Sequence, residues 1–189
     1  GVGYTQKTNG GLRPTSSASG HDLADLAFSG DVSAPTAARH RRWDASSYLL
    51  AGDTSATVAA DTISYRAIVQ LKAYAKDQYL RGIRAGAGEE IYHMFVTPQQ
   101  MADLKLDSDF LANVRNAGVR GPQSSLFSGS SSLMVDGVMV HEYRHVFNTA
   151  GAASGTSSNA GNAGYKWGAN ADVDGARALF CGAQALAMA

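Results

Sequence analysis

The chain has 189 residues, 44% of them apolar, enough for one domain with a real core or for two intimate lobes. Sixteen Lys and Arg balance sixteen Asp and Glu, so no global field draws the protein onto nucleic acid or an anionic membrane. The single cysteine, Cys181, excludes an intramolecular disulfide, and no apolar run approaches the ~20 residues of a membrane span.

Residues 1–20, rich in Gly, Ser, Thr and Pro, read as loop. The first residue is Gly rather than Met, which fits a processed chain or a segment of a longer one. A short helix is expected at "HDLADLAF", where Leu23, Leu26 and Ala27 recur at helical spacing. After Pro35, "TAARHRRWDASSYLLAG" reads as a second helix ending before Gly52. Its Arg39, His40, Arg41 and Arg42 form the one dense basic cluster. It is expected as a solvated face or a set of intersubunit ion pairs, with contact to nucleic-acid phosphates as the alternative.

The clearest helix is expected from an Asp61 N-cap through "TISYRAIVQLKAYAKDQYL". Ile63, Ala67, Ile68, Leu71, Tyr74 and Ala75 gather on one of its faces. The glycine-rich "GIRAGAG" should end it, and "EEIYHMFV" follows as a buried strand. "TPQQMADLK" then predicts a helix with Thr97 at the N-cap, Pro98 at N1 and Gln100 completing a capping box, with Met101 and Leu104 facing the core. "SDFLANVRNA" is a further short helix, stopping at Gly118. Residues 119–132 read as loop, and "LMVDGVMV" as a hairpin turning at Asp136-Gly137. Residues 150–164, "AGAASGTSSNAGNAG", read as a low-complexity, exposed and mobile loop that tolerates deletion. The close, "GARALFCGAQALAMA", reads as a strand followed by small apolar residues, with Cys181 a small buried hydrophobe rather than a reactive thiol.

One motif suggests chemistry. His141, Glu142 and His145 spell H-E-x-x-H, which on a helix brings two imidazoles to one zinc ion with the Glu as general base. The preceding Gly137, Val138, Met139 and Val140, directly after a hairpin turn, predict a strand over 138–146 instead. Four residues of strand span ~13 Å, so the two histidines cannot share a metal. No His or Glu follows His145, which leaves only Asp172 and Asp174 as third ligands. His21, His40 and His93 are scattered, and His93 reads as a satisfied core or interface histidine. No nucleophile elbow, phosphate loop, dinucleotide fingerprint or Cys-x-x-Cys occurs. No catalytic, cofactor-binding or metal-binding residue is therefore assigned, no cofactor is expected, and the chain is not expected to be an enzyme.

The order of elements says more. "VTPQQMADLK", "SLFSG", "DGVMVHEYRHV" and "GARALFCGAQAL", with the weaker "RRWDASSYLLAG" before them, together resemble the C-terminal half of a tailed-phage major capsid protein. The family has the HK97-like fold, and the nearest likeness is to podoviruses with giant virion RNA polymerases. The resemblance covers roughly residues 36–189, most specifically 91–186. The family's N-terminal arm, extended loop and spine helix are not found, so the resemblance reads this chain as the C-terminal part.

It implies an α+β architecture of axial and peripheral domains, with helices packed on mixed sheets. Residues 1–60 would be loops and part of the peripheral domain, 61–150 mainly the axial domain, 151–164 a flexible loop, and 165–189 return strands closing the sheet. It implies a structural protein that assembles with itself into hexamers and pentamers of an icosahedral shell. That shell would enclose double-stranded DNA without sequence-specific binding, with no membrane contact. Decoration, scaffolding and portal proteins are the further partners implied, with assembly in the host cytoplasm and a final place in the virion. Trp43, Tyr165 and Trp167 are expected as intersubunit anchors, because aromatic residues dominate interface energetics. The alternatives are a bacterial nanocompartment (encapsulin-like) shell protein and, through His141-Glu142-x-x-His145, a zinc metallopeptidase.

Overall fold

The computed structural model describes residues 38–51, 54–84, 88–117, 132–160 and 165–183. The expected helix at 21–28, the loop at 119–131 and the last six residues lie outside them. The described residues divide into two compact units. One holds Thr62–Val146 and the residues from Ala178 on; the other holds Phe147–Arg177 and the residues up to Asp61.

The first unit is a mixed sheet and three helices. Helix α1 (Tyr65–Asp77) starts later than the sequence suggests. Ser64, not Asp61, is its N-cap, accepting the Ala67 N–H at 3.2 Å. Asp61 is engaged elsewhere: its carboxylate accepts the amides of Ala45 and Val58, each at 3.0 Å. Strand β3 (Ile83–Arg84) forms inside the stretch expected only to end the helix, pairing antiparallel with the start of β4 (Glu90–Val96).

Helix α2 (Pro98–Leu106) follows with the expected capping box: Thr97 Oγ1 accepts the Gln100 N–H, and Gln100 Oε1 accepts the Thr97 N–H. Helix α3 (Ser108–Ala117) comes directly after. Between them the Asp107 carboxylate accepts N–H groups at two helix starts, Phe110 of α3 at 3.2 Å and Tyr65 of α1 at 2.9 Å. One anion thus answers the positive ends of two helix dipoles and fixes α1 against α3.

Strands β5 (Ser132–Val135) and β6 (Val138–Glu142) form the expected hairpin. Its two central residues, Asp136 and Gly137, have φ 45° and 75°, the pair of positive values that this tight turn demands. β6 lies parallel to β4, and β7 (Leu179–Cys181) returns antiparallel on β4's other side. The period of two sorts the strands into faces. Tyr92, Met94, Val96, Leu133, Val135, Val138 and Val140 are buried, as are Ile68, Ala75, Met101, Leu104 and Phe110 of the helices. These residues form the unit's core.

The second unit corrects the expectation of a helix at 36–51. Strands β1 (Arg41–Asp44) and β2 (Tyr48–Ala51) form an antiparallel hairpin there. The Asp44 carboxylate accepts the amides of Ser46 at 3.0 Å and Ser47 at 2.7 Å, a side-chain-closed turn that competes successfully with helix. Trp43 then packs against Tyr48 with ring centroids 5.8 Å apart and planes tilted by 35°. The weak helical period of the segment gives way to these local bonds.

The rest of the unit is held by isolated bridges: Asn148 with Ala176, Ala153 with Tyr165, and Trp167 with Val173. The stretch read as a deletion-tolerant loop is mostly exposed over 154–158 but is fastened. Ala152 is buried, the Gly155 N–H donates to Ala171 O, and the Asn159 side chain accepts the Thr156 N–H. Backbone bonds and short polar side chains together do the ordering, without large apolar residues.

Candidate functional site

In the first unit, the sheet face opposite the core carries Ile91, His93 and Phe95 from β4, Met139 and His141 from β6, Ser132 and Met134 from β5, and Leu179 and Cys181 from β7. The strand registers set this grouping. Parallel pairing places His93 opposite Met139 and His141 opposite Phe95. The two histidines meet diagonally: His93 Nδ1 and His141 Nε2 are 2.8 Å apart, with ring planes 4° from parallel. Phe95 stacks on His141 at 5.1 Å. One imidazole donates and the other accepts, so the pair is self-satisfied while one nitrogen stays unprotonated. Burial, and then the charge of His93, lowers the His141 pKa.

The zinc motif does not assemble. β6 ends at Glu142, so the strand expected over 138–146 is shorter than predicted, and Arg144 and His145 lie in a turn. The Val146 N–H donates to Tyr143 O, a three-residue step rather than a helical one. His141 is turned to His93, and His145 meets the edge of Tyr143 at 5.3 Å. Asp174 is paired with Lys166 at 3.0 Å. Among the described residues no group of three or more His, Cys, Asp or Glu could hold a metal ion. Cys181, expected as a buried residue, is only half-buried, and that partial burial raises its thiol pKa.

The basic cluster is largely spent within the chain. Arg41 donates to Leu49 O at 2.8 Å, and Arg42 to Ala56 O at 2.9 Å. Arg42 also pairs with Asp44 and Asp61, each at 3.3 Å. Of the three expected aromatic anchors, Trp43 lies against Tyr48, Trp167 stacks on Phe147 with ring centroids 6.3 Å apart, and Tyr165 forms a backbone bridge with Ala153. Sequence reasoning missed the histidine pair, because a contact across 48 residues depends on the parallel register of two strands.

Residues 5–189 match the phage capsid protein family, and the chain belongs to it. The major capsid protein of Pseudomonas phage KPP25 is 47% identical over 191 residues, covering 100% of this chain and 47% of that protein. The chain therefore spans about half the length of the curated relative it matches. Among solved structures, the capsid of Ralstonia phage GP4 gives a TM-score of 0.46 at 20% identity, covering 78% of this chain and 38% of that one. The capsid asymmetric unit of cyanophage Pam1 gives 0.44 at 21% identity, with 49% and 27% covered.

Proposed function

We propose that this chain is part of a phage major capsid protein of the HK97-like fold, a structural and non-enzymatic protein that assembles with copies of itself into an icosahedral shell around double-stranded DNA. The observation that carries the reading is the 47% identity to a major capsid protein along the whole of this chain. A balanced net charge suits a container wall that holds DNA without gripping it. The unit of Thr62–Val146 with β7 takes the role of the axial domain, and the unit with β1, β2 and Phe147–Arg177 that of the peripheral domain. Hexamers and pentamers of the lattice, with scaffolding, decoration and portal proteins, are the partners, and the virion is the destination after assembly in the host cytoplasm. A nanocompartment shell would share the architecture but carry a groove for cargo peptides in place of a DNA-filled interior.

Electron microscopy of the purified complete gene product tests the proposal. Closed shells with repeated subunit contacts are expected. A monomer burying less than about 1,000 Å² against all neighbours together would fall below a specific interface and end the reading.

A further inference from the structure

The β5–β6 hairpin joins the rest of its sheet along one seam, the parallel pairing of β6 with β4. The turn end of this seam is fastened twice. The Tyr92 N–H donates to Gly137 O at 3.0 Å, and Lys72 of α1 pairs with Asp136 at 3.2 Å. At the other end the Tyr143 N–H donates to Val96 O at 2.8 Å. Between the two, on the outer face, His93 of β4 bonds His141 of β6 across the seam.

The facing atoms, His93 Nδ1 and His141 Nε2 at 2.8 Å, set how many protons this bond tolerates. With both rings neutral, one nitrogen donates and the other accepts. With one proton added, an imidazolium N–H still donates to the neutral ring's lone pair, now a charge-assisted bond. With two added, both nitrogens carry hydrogen, no acceptor remains, and like charges stand in contact. The rings are 4° from parallel and Phe95 stacks on His141, so neither can turn aside without leaving this packing.

Among the described residues, no anion on this face offsets the second charge. Opposite His93 stand Met139 of β6 and the Cys181 thiol of β7; opposite His141 stand Phe95 of β4 and Ser132 of β5. Cys181 is the one other titratable group in this set, and its thiol, pushed up by burial, stays neutral in acid. Glu90 and Glu142 fall on the alternate face of their strands. Burial and the His93 charge lower the His141 pKa, so its neutral form is kept at neutral pH and given up as pH falls below the ordinary 6.5.

We propose that the His93–His141 bond is an acid-released clasp: it holds the seam through the first proton, and the second parts the rings and loosens the Tyr143 end of β6. The clasp belongs wholly to this chain and does not depend on the shell reading.

Nitrogen NMR of the histidine-labelled complete gene product follows each ring nitrogen through an acid titration. Hydrogen exchange, corrected for its intrinsic pH dependence, follows the amides of residues 140–143. The pair should titrate in two steps more than about one pH unit apart, with exchange rising about tenfold only at the second. His93→Gln keeps a hydrogen-bonding side chain without the charge, and should raise the His141 midpoint by about one pH unit. A single midpoint common to both rings, a His141 midpoint unmoved by His93→Gln, or seam exchange that rises only with global unfolding would overturn the proposal. Should the variant not fold, the titration and exchange of the unsubstituted protein decide by themselves.

Discussion

Gly175→Ala is the sharpest probe of the Phe147–Arg177 unit. Gly175 sits beneath the indole of Trp167, and a Cβ added there would lie 1.9 Å from Cε3, 2.2 Å from Cδ2 and 2.7 Å from Cζ3 of that ring. All three atoms belong to one rigid bicycle, so no flexible chain end can yield. The ring cannot simply slide, because Phe147 stacks on it and Arg177 covers Phe147 at 4.9 Å. Nor can the backbone give way easily. The Thr149 N–H donates to Gly175 O and the Gly175 N–H to Thr149 Oγ1, each at 2.8 Å, in a buried site. Either the indole leaves its seat or these bonds break, and we expect a loss of about 3 kcal/mol, the upper part of the overpacking range. Gly151→Ala is the control: its φ of 87° strains alanine, but nothing lies within 4 Å of the new Cβ, so its cost of about 1 kcal/mol is purely conformational. Urea unfolding followed by tryptophan fluorescence and near-ultraviolet circular dichroism reads both variants. In a Trp167→Ala background the Gly175→Ala penalty should largely vanish, a coupling of at least about 2 kcal/mol. A Gly175→Ala change of under about 0.5 kcal/mol, or one independent of Trp167, would refute the packing described.

Asp61→Ala should destabilise by about 3 kcal/mol in the same assay, because it strands two amides and Arg42 around a carboxylate site only 3% exposed. Thr97→Ala should cost about 1 kcal/mol by removing the α2 cap. His141 has its pKa lowered from the ordinary 6.5 by burial and by His93, so the unfolded chain binds the extra proton more readily. The associated stability is present above pH 6.5 and is lost as pH falls through the folded-state value. His141→Gln should flatten that part of the stability–pH curve. His40, lowered by burial and Arg177, contributes with the same sign, so His40→Gln is the parallel control. Elemental analysis should find no stoichiometric zinc; one zinc per chain lost on His141→Ala would overturn the reading of the motif.

What was legible in the sequence was mostly punctuation, because caps and turns are local. Thr97, Pro98 and Gln100 lie within four residues and need no tertiary partner, so α2 was placed correctly. Asp136-Gly137 fixed the β5–β6 hairpin for the same reason. Asp61 shows where locality fails. It is a good N-cap type, but its carboxylate is claimed by Ala45, Val58 and Arg42, the first 16 residues away, and the cap passed to Ser64. The β1–β2 hairpin was missed because its turn is closed by Asp44 and Ser47 rather than by glycine. The outer sheet face could not be read at all: His93 joins His141, and Cys181 joins His93, only once three distant strands are in register.

The same distinction explains why the most suggestive letters in the chain carried no chemistry. H-E-x-x-H is a statement about two side chains only if the backbone rises ~1.5 Å per residue, so that i and i+4 stand over each other. At the ~3.3 Å rise of a strand, the neighbours that matter are across the sheet. His141 accordingly answers to Phe95, Ser132 and His93, and not to His145. What chose between the two backbones lies just upstream. Gly137 at φ 75° reverses the chain, and Val138 and Val140, both buried, commit it to a pleat whose β-branched side chains fill the core. A shell-forming surface has no motif of its own for the same reason. Its residues are gathered by register and by symmetry, so no run of consecutive letters spells it.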